Sequence, residues 1–108
     1  MDGVVSPERL LDGRLKLRHL VLATAIADAG SLARAAEHLR ITQPVVTRGL
    51  QDLESVLGVP LFERSAQGAV PTVYGVAFID HARGVLAQIR QAGRTLNELA
   101  TADAGTVT

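Results

Sequence analysis

The feature that most limits the fold lies in the last third of the chain. From Thr72 to Ala100 apolar residues recur at helical spacing: Ile79, Ala82, Leu86, Ile89, Gly93, Leu96 and Ala100 alternate steps of three and four, while Phe78, Val85, Ala92 and Leu99 add a flanking column every seven residues. The stripe is roughly three positions wide per heptad, broader than a strict coiled-coil seam. A helix of ~28 residues is ~42 Å long. A chain of 108 residues is too small to cover it. The stripe is therefore expected to bury against a second copy of itself, with Ile79, Ala82, Leu86, Ile89, Gly93 and Leu96 as dimerisation residues. Gly93 weakens the helix locally and permits close approach. A charge at Leu86 is expected to break the dimer. The tail 101–108, TADAGTVT, loses the pattern and reads as the start of a flexible linker.

Upstream, residues 17–29 form a nearly all-apolar helical segment with Gly30 placed to end it. Ser31 is placed to cap a short second helix whose Leu32, Ala35, Ala36 and Leu39 follow the i, i+3, i+4, i+7 pattern. Thr42 is placed to cap a third, with Pro44 in its first turn and Val46, Leu50, Leu53 and Leu57 on its inner face. The three-residue connection Arg40-Ile41-Thr42 outlines a helix-turn-helix, with Ile41 expected to plug the turn. Arg40 stands where such turns often place Gly; either it is held at positive φ, which costs a non-Gly residue on the order of 1 kcal/mol, or the turn uses another conformation. The runs LFER and AVPT then flank Ser65-Ala66-Gln67-Gly68, read as a four-residue hairpin loop, with Pro71 confined to an edge strand. A small hairpin directly after a helix-turn-helix is a wing. At the other end, Ser6-Pro7-Glu8 reads as a helix start that Asp12-Gly13 stops, within an N-terminal extension of residues 1–14.

Composition removes several function classes. There is no Cys, so neither a disulfide framework nor a thiolate zinc site is available. His19, His38 and His81 are isolated from one another in sequence, and no nucleophile elbow, phosphate loop or paired acid–base constellation is visible. No metal, cofactor or catalytic residue is expected. No apolar run approaches the ~20 residues needed to span a bilayer. A cytoplasmic protein with no membrane partner is expected. Eleven Lys and Arg balance eleven Asp and Glu. That neutrality does not by itself favour nucleic acid, although ten of the eleven cations are Arg, the side chain suited to planar, bidentate contact.

Groove geometry gives the third helix a concrete task. A DNA major groove about 12 Å wide admits one helix, whose N-terminal part meets the base edges. With Val46 committed to the core, positions 43, 44, 47, 48 and 51 lie outward. Gln43 suits adenine, Arg48 guanine, Thr47 a thymine methyl or a phosphate, and Pro44 with Val45 apolar contact to thymine. Ser31, Arg34, Ser65, Gln67 and Thr72 are candidate phosphate contacts, Ser31 and Thr72 at helix N-termini.

The stretch LRHLVLATAIADAGSLARAAEHLRITQPVVTRGLQDLESVLGVPLFERSAQGAVPTVYG resembles the N-terminal domain of LysR-type transcriptional regulators. The likeness is carried by G-S-x-x-x-A-A-x-x-L, T-Q-P-x-V-T-R, L-E-x-x-L-G-x-x-L-F-x-R and the P-T-x-x-G before the long helix, and it covers about residues 15–100. Leu22 or Ala23, and Leu32, stand where family members often carry aromatics. The resemblance implies a mainly α fold: a winged helix-turn-helix over 15–72 and a linker and dimerisation helix over 73–100. It further implies base contact by Gln43, Pro44, Thr47 and Arg48, and entry of Arg64 into the minor groove. The implied partners are double-stranded DNA bearing an inverted repeat and a second subunit, with tetramers formed through an effector domain not present in this sequence.

Each assignment has a simpler rival. Arg48 is four residues before Asp52 and suits an i,i+4 pair; Arg34 has Glu37 and His38 as neighbours; Arg64 serves equally as a solvated loop residue. Arg9, Arg14, Lys16 and Arg18 read as a solvated face. Glu37, Asp52, Glu54 and Asp80 are expected away from any groove. The alternative for the whole chain is a helical protein-interaction or oligomerisation module without DNA binding.

Overall fold

In a computed structural model, which describes residues 6–107, four helices and one hairpin follow in the order α1 (Leu17–Ala29), α2 (Leu32–Leu39), α3 (Gln43–Leu57), β1 (Phe62–Ser65), β2 (Gly68–Pro71) and α4 (Val73–Val107). Residues 1–5 of the expected N-terminal extension and residue 108 of the expected linker lie outside the described residues.

The breaks between helices come from local chemistry. Gly30 adopts a left-handed conformation and returns its N–H to the Ile26 carbonyl at 2.8 Å, which ends α1. Ser31 Oγ accepts the Arg34 N–H at 3.1 Å and starts α2. Ser31→Ala should cost about 1 kcal/mol. For a domain of this size that lowers the melting temperature by about 4–8 °C, measurable by circular dichroism. Arg40 sits at φ 59°, ψ 42°, so of the two conformations open to the turn it takes the left-handed one, at a small cost. Thr42 departs from expectation, because its hydroxyl makes no capping bond. A capping side chain serves the N–H two or three residues on; Pro44 has none, and that of Val45 is already held by the Thr42 carbonyl at 3.1 Å. Ile41 is 39% exposed and does not plug the turn.

The core lies where α1, α2 and α3 cross. Ala23, Ile26, Ala35, Val46, Leu53 and Leu61 are fully buried there, and the small Ala35 and Ala36 let the helices approach closely. Because α1 is apolar nearly all round, one partner face does not satisfy it. Its other side is covered by the first turns of α4: Leu20 forms a second cluster with Ala82 and Leu86, while Ile79 joins the main core. Three residues expected in an intermolecular stripe, Ile79, Ala82 and Leu86, are thus buried within the chain. Arg83 and Asp28 join the same two helices at 2.8 Å. Beyond Leu86 the helix has no cover among the described residues, leaving Ile89, Leu96 and Leu99 exposed. It continues to Val107, past residue 100 and through the stretch expected as linker, where Ala100, Ala102 and Ala104 supply strong helix propensity.

The wing is tighter than expected. Register pairs run Phe62 with Pro71, Glu63 with Val70, Arg64 with Ala69 and Ser65 with Gly68, so the loop is only Ala66-Gln67 and Arg64 lies within a strand. An isolated two-stranded hairpin is marginal. Here Glu54 Oε2 accepts the N–H groups of Leu61 (2.7 Å) and Phe62 (3.3 Å), and Ala69 donates to the Gly30 carbonyl at 2.9 Å. Gly68, at φ 129°, presses so closely on that same carbonyl that any Cβ would collide with it.

The N-terminal segment forms one 3₁₀ turn, Pro7–Leu11, rather than an α-helix, and Ser6 makes no side-chain cap. Leu10 rests on the core. Arg14 chelates Asp12 through its side chain and backbone N–H, which holds the Asp12 carboxyl below its ordinary pKa.

Candidate nucleic-acid interface

The outward side of α3 is open. Gln43, Pro44, Val45, Arg48 and Gln51 are exposed in succession, Val46 is fully buried beneath them, and Thr47 is half-buried between the two sides. Arg48 makes no ion pair among the described residues, and neither do Arg34 and Arg64. Three free guanidinium groups therefore face solvent from α2, α3 and the wing. The i,i+4 partner available to Arg48 is engaged elsewhere: Asp52 Oδ2 lies 2.7 Å from Nε2 of His19.

Four of the five candidate phosphate contacts meet in one place. Ser31 and Arg34 from the start of α2, with Ser65 and Gln67 from the wing, line a polar cleft floored by Gly30 and Gly68. The Ala69–Gly30 hydrogen bond holds the wing against the α1–α2 turn, so the cleft is a consequence of hairpin docking. Ser31 uses its oxygen as an acceptor and keeps its hydroxyl proton for another partner. At the tip, Ser65 Oγ accepts from the Gln67 N–H and donates to Gln67 Oε1, a closed local arrangement. Thr72 does not join them. Its hydroxyl donates to the Pro60 carbonyl at 2.7 Å and accepts the Gly75 N–H at 3.0 Å, so its one proton is committed to tying the wing to α4.

Two relationships were not visible in the sequence. His19 is paired with Asp52, and Glu54, expected only to lie away from any groove, anchors the wing. Among the described residues no group of His, Asp and Glu is arranged to hold a metal ion, and none of their helices is long and apolar enough to cross a membrane.

Residues 17–76 match the model of the bacterial regulatory helix-turn-helix proteins, lysR family. The chain belongs to this family. Among similar LysR-family relatives, the HTH-type transcriptional regulator GbpR of Azospirillum brasilense is 45% identical over 97 residues, which are 90% of this chain and 28% of that protein. The uncharacterized HTH-type transcriptional regulator YdcI of Escherichia coli K12 is 46% identical over 88 residues, 82% of this chain and 29% of that protein. The chain thus spans little more than a quarter of these relatives. Among solved structures, the CbnR DNA-binding domain in complex with DNA superposes with a TM-score of 0.75 at 40% identity, covering 80% of this chain and 99% of that one. The BenM DNA-binding domain bound to benA site 1 DNA gives 0.76 at 32% identity, covering 80% and 97%. This LysR-family chain therefore shares the winged helix-turn-helix fold of domains crystallised on DNA.

Proposed function

We propose that this chain is the DNA-binding domain of a homodimeric transcription regulator that reads double-stranded DNA and acts by binding, not by chemistry. The observation that carries the reading is the uninterrupted exposed row Gln43, Pro44, Arg48 and Gln51 on α3, flanked by the Ser31–Arg34–Ser65–Gln67 cleft. The row supplies base contact from Gln43, Pro44, Thr47 and Arg48 in the major groove, and the cleft grips the adjoining phosphates. Arg64, exposed on the wing, reaches the minor groove, where narrow A·T-rich stretches favour a guanidinium. The relatives solved on DNA, CbnR and BenM, support this reading. Residues 15–72 form the reading head, and the exposed part of α4, with Ile89, Gly93 and Leu96, supplies the face that pairs two subunits. Two heads read half-sites of an inverted repeat about one helical turn apart, or a multiple of it. Such a protein works in the cytoplasm, and assembly into tetramers belongs to the longer regulator.

The test is selection of bound fragments from genomic DNA followed by anisotropy titration at several salt concentrations. Selected fragments should share an inverted repeat, and log affinity should fall linearly with log salt, as phosphate neutralisation requires. A chain that dimerises but binds no fragment at low salt overturns the proposal in favour of an oligomerisation module.

A further inference from the structure

His19 is the one ionisable side chain buried among the described residues, and the DNA-reading proposal gives it no role. It lies in the first turn of α1, its side chain 2% exposed. Both ring nitrogens are engaged. The Lys16 backbone N–H donates to Nδ1 at 3.0 Å, and the Asp52 carboxylate stands 2.7 Å from Nε2. A backbone N–H only donates and a carboxylate only accepts, so the two contacts assign one species: a neutral imidazole with its proton on Nε2.

The position of Asp52 makes that assignment consequential. It follows Arg48 by one helical turn on α3, on the outward side, and its side chain remains 59% exposed. An acid and a cation four residues apart on one helix are natural partners. A carboxylate there has two adverse effects on a helix that must approach phosphates: it draws in the Arg48 guanidinium, and it presents uncompensated negative charge. While the carboxylate is turned toward α1 and hydrogen-bonded by His19 it does not draw in Arg48; the neutral imidazole leaves its negative charge in place but fixes it beside α1. Arg48 is accordingly unpaired among the described residues.

We infer that His19 is a positioning residue for the reading face, a buried neutral imidazole that holds Asp52 away from Arg48 and so leaves that guanidinium free for the groove. The inference rests on the DNA-binding reading of α3. It places a determinant of DNA affinity inside the domain, on a helix that itself meets no base.

The experiment combines a rescue with a spectroscopic signature, on the 108-residue chain and a fragment that the wild type has selected. His19→Leu, which removes the donor to a charged acceptor, is expected to weaken binding about fivefold. His19→Gln keeps a neutral N–H donor where Nε2 lies and should stay within about twofold of wild type. Asp52→Ala alone should bind at least as well as wild type, and in its background His19→Leu should have less than about a twofold effect, because no carboxylate is left to capture Arg48. Nitrogen-15 spectra of the wild type at about pH 8 should show the Nε2–H tautomer, a readout that requires no variant to fold. If His19→Leu weakens binding equally with and without Asp52, or if the ring carries its proton on Nδ1, the inference is overturned while the DNA reading stands. A wild-type chain that binds no fragment overturns both.

Discussion

Arg48→Ala is expected to abolish sequence-selective binding while leaving the fold intact. The side chain is exposed on α3 and makes no ion pair among the described residues, so its removal breaks no salt bridge there. Exposed substitutions of this kind stay within about 0.5 kcal/mol in stability. A bidentate arginine–guanine contact carries about 1–3 kcal/mol of discrimination. A dimer on an inverted repeat makes it twice, for about 2–6 kcal/mol, which is at least about a 30-fold loss of affinity. Arg48→Lys keeps the charge and loses the fork; it should retain binding to random DNA while relaxing preference at one base pair in each half-site. Anisotropy titrations on the selected fragment and on scrambled DNA check this. An Arg48→Ala variant that binds the selected fragment as tightly as wild type removes α3 from the groove. Gln43→Ala, at the start of the same helix, should behave alike with a smaller loss.

Much of this surface can be read from residue order, because local periodicity decides it. Val46, Leu50, Leu53 and Leu57 repeat at helical spacing and are all buried, which turns Gln43, Pro44 and Arg48 outward without knowledge of any other element. The left-handed turn at Arg40 is equally local, and it appears as a conflict between the residue present and the one the turn prefers. What escaped the sequence depends on pairing across distance. His19 and Asp52 are 33 residues apart, and nothing in either neighbourhood announces the other. Nothing local marks Glu54 for a task until the hairpin folds back to offer it two N–H groups. The wing loop shortens to two residues because Gly68 tolerates φ 129°, a conformation that spacing alone does not reveal.

The α4 stripe shows the same division and leads to the sharpest contrast between two substitutions. Periodicity states which side of a helix is apolar; it does not state what covers it. The nearly uniform apolarity of α1 was the available clue that a second partner was needed, and the first turns of α4 supply it. Leu86, only 9% exposed, packs beside Leu20 and Ala82 within one chain. Leu86→Asp should therefore unfold the protomer rather than merely separate two of them. Losing the aliphatic contacts costs about 2–5 kcal/mol, comparable with the smaller end of a domain's total stability of about 5–15 kcal/mol. An unpaired carboxylate in that apolar cluster adds to the cost. Leu96, nearly three turns further on, is 67% exposed in the single chain. Leu96→Asp should leave helical content and the protomer's core unchanged, yet place two like charges in the seam between subunits. Sedimentation and circular dichroism separate the outcomes: Leu86→Asp loses cooperative melting, whereas Leu96→Asp melts cooperatively but sediments as a monomer and binds the inverted repeat only weakly, since each head then binds alone. A Leu96→Asp chain that remains dimeric would place the subunit contact elsewhere than on the exposed length of α4.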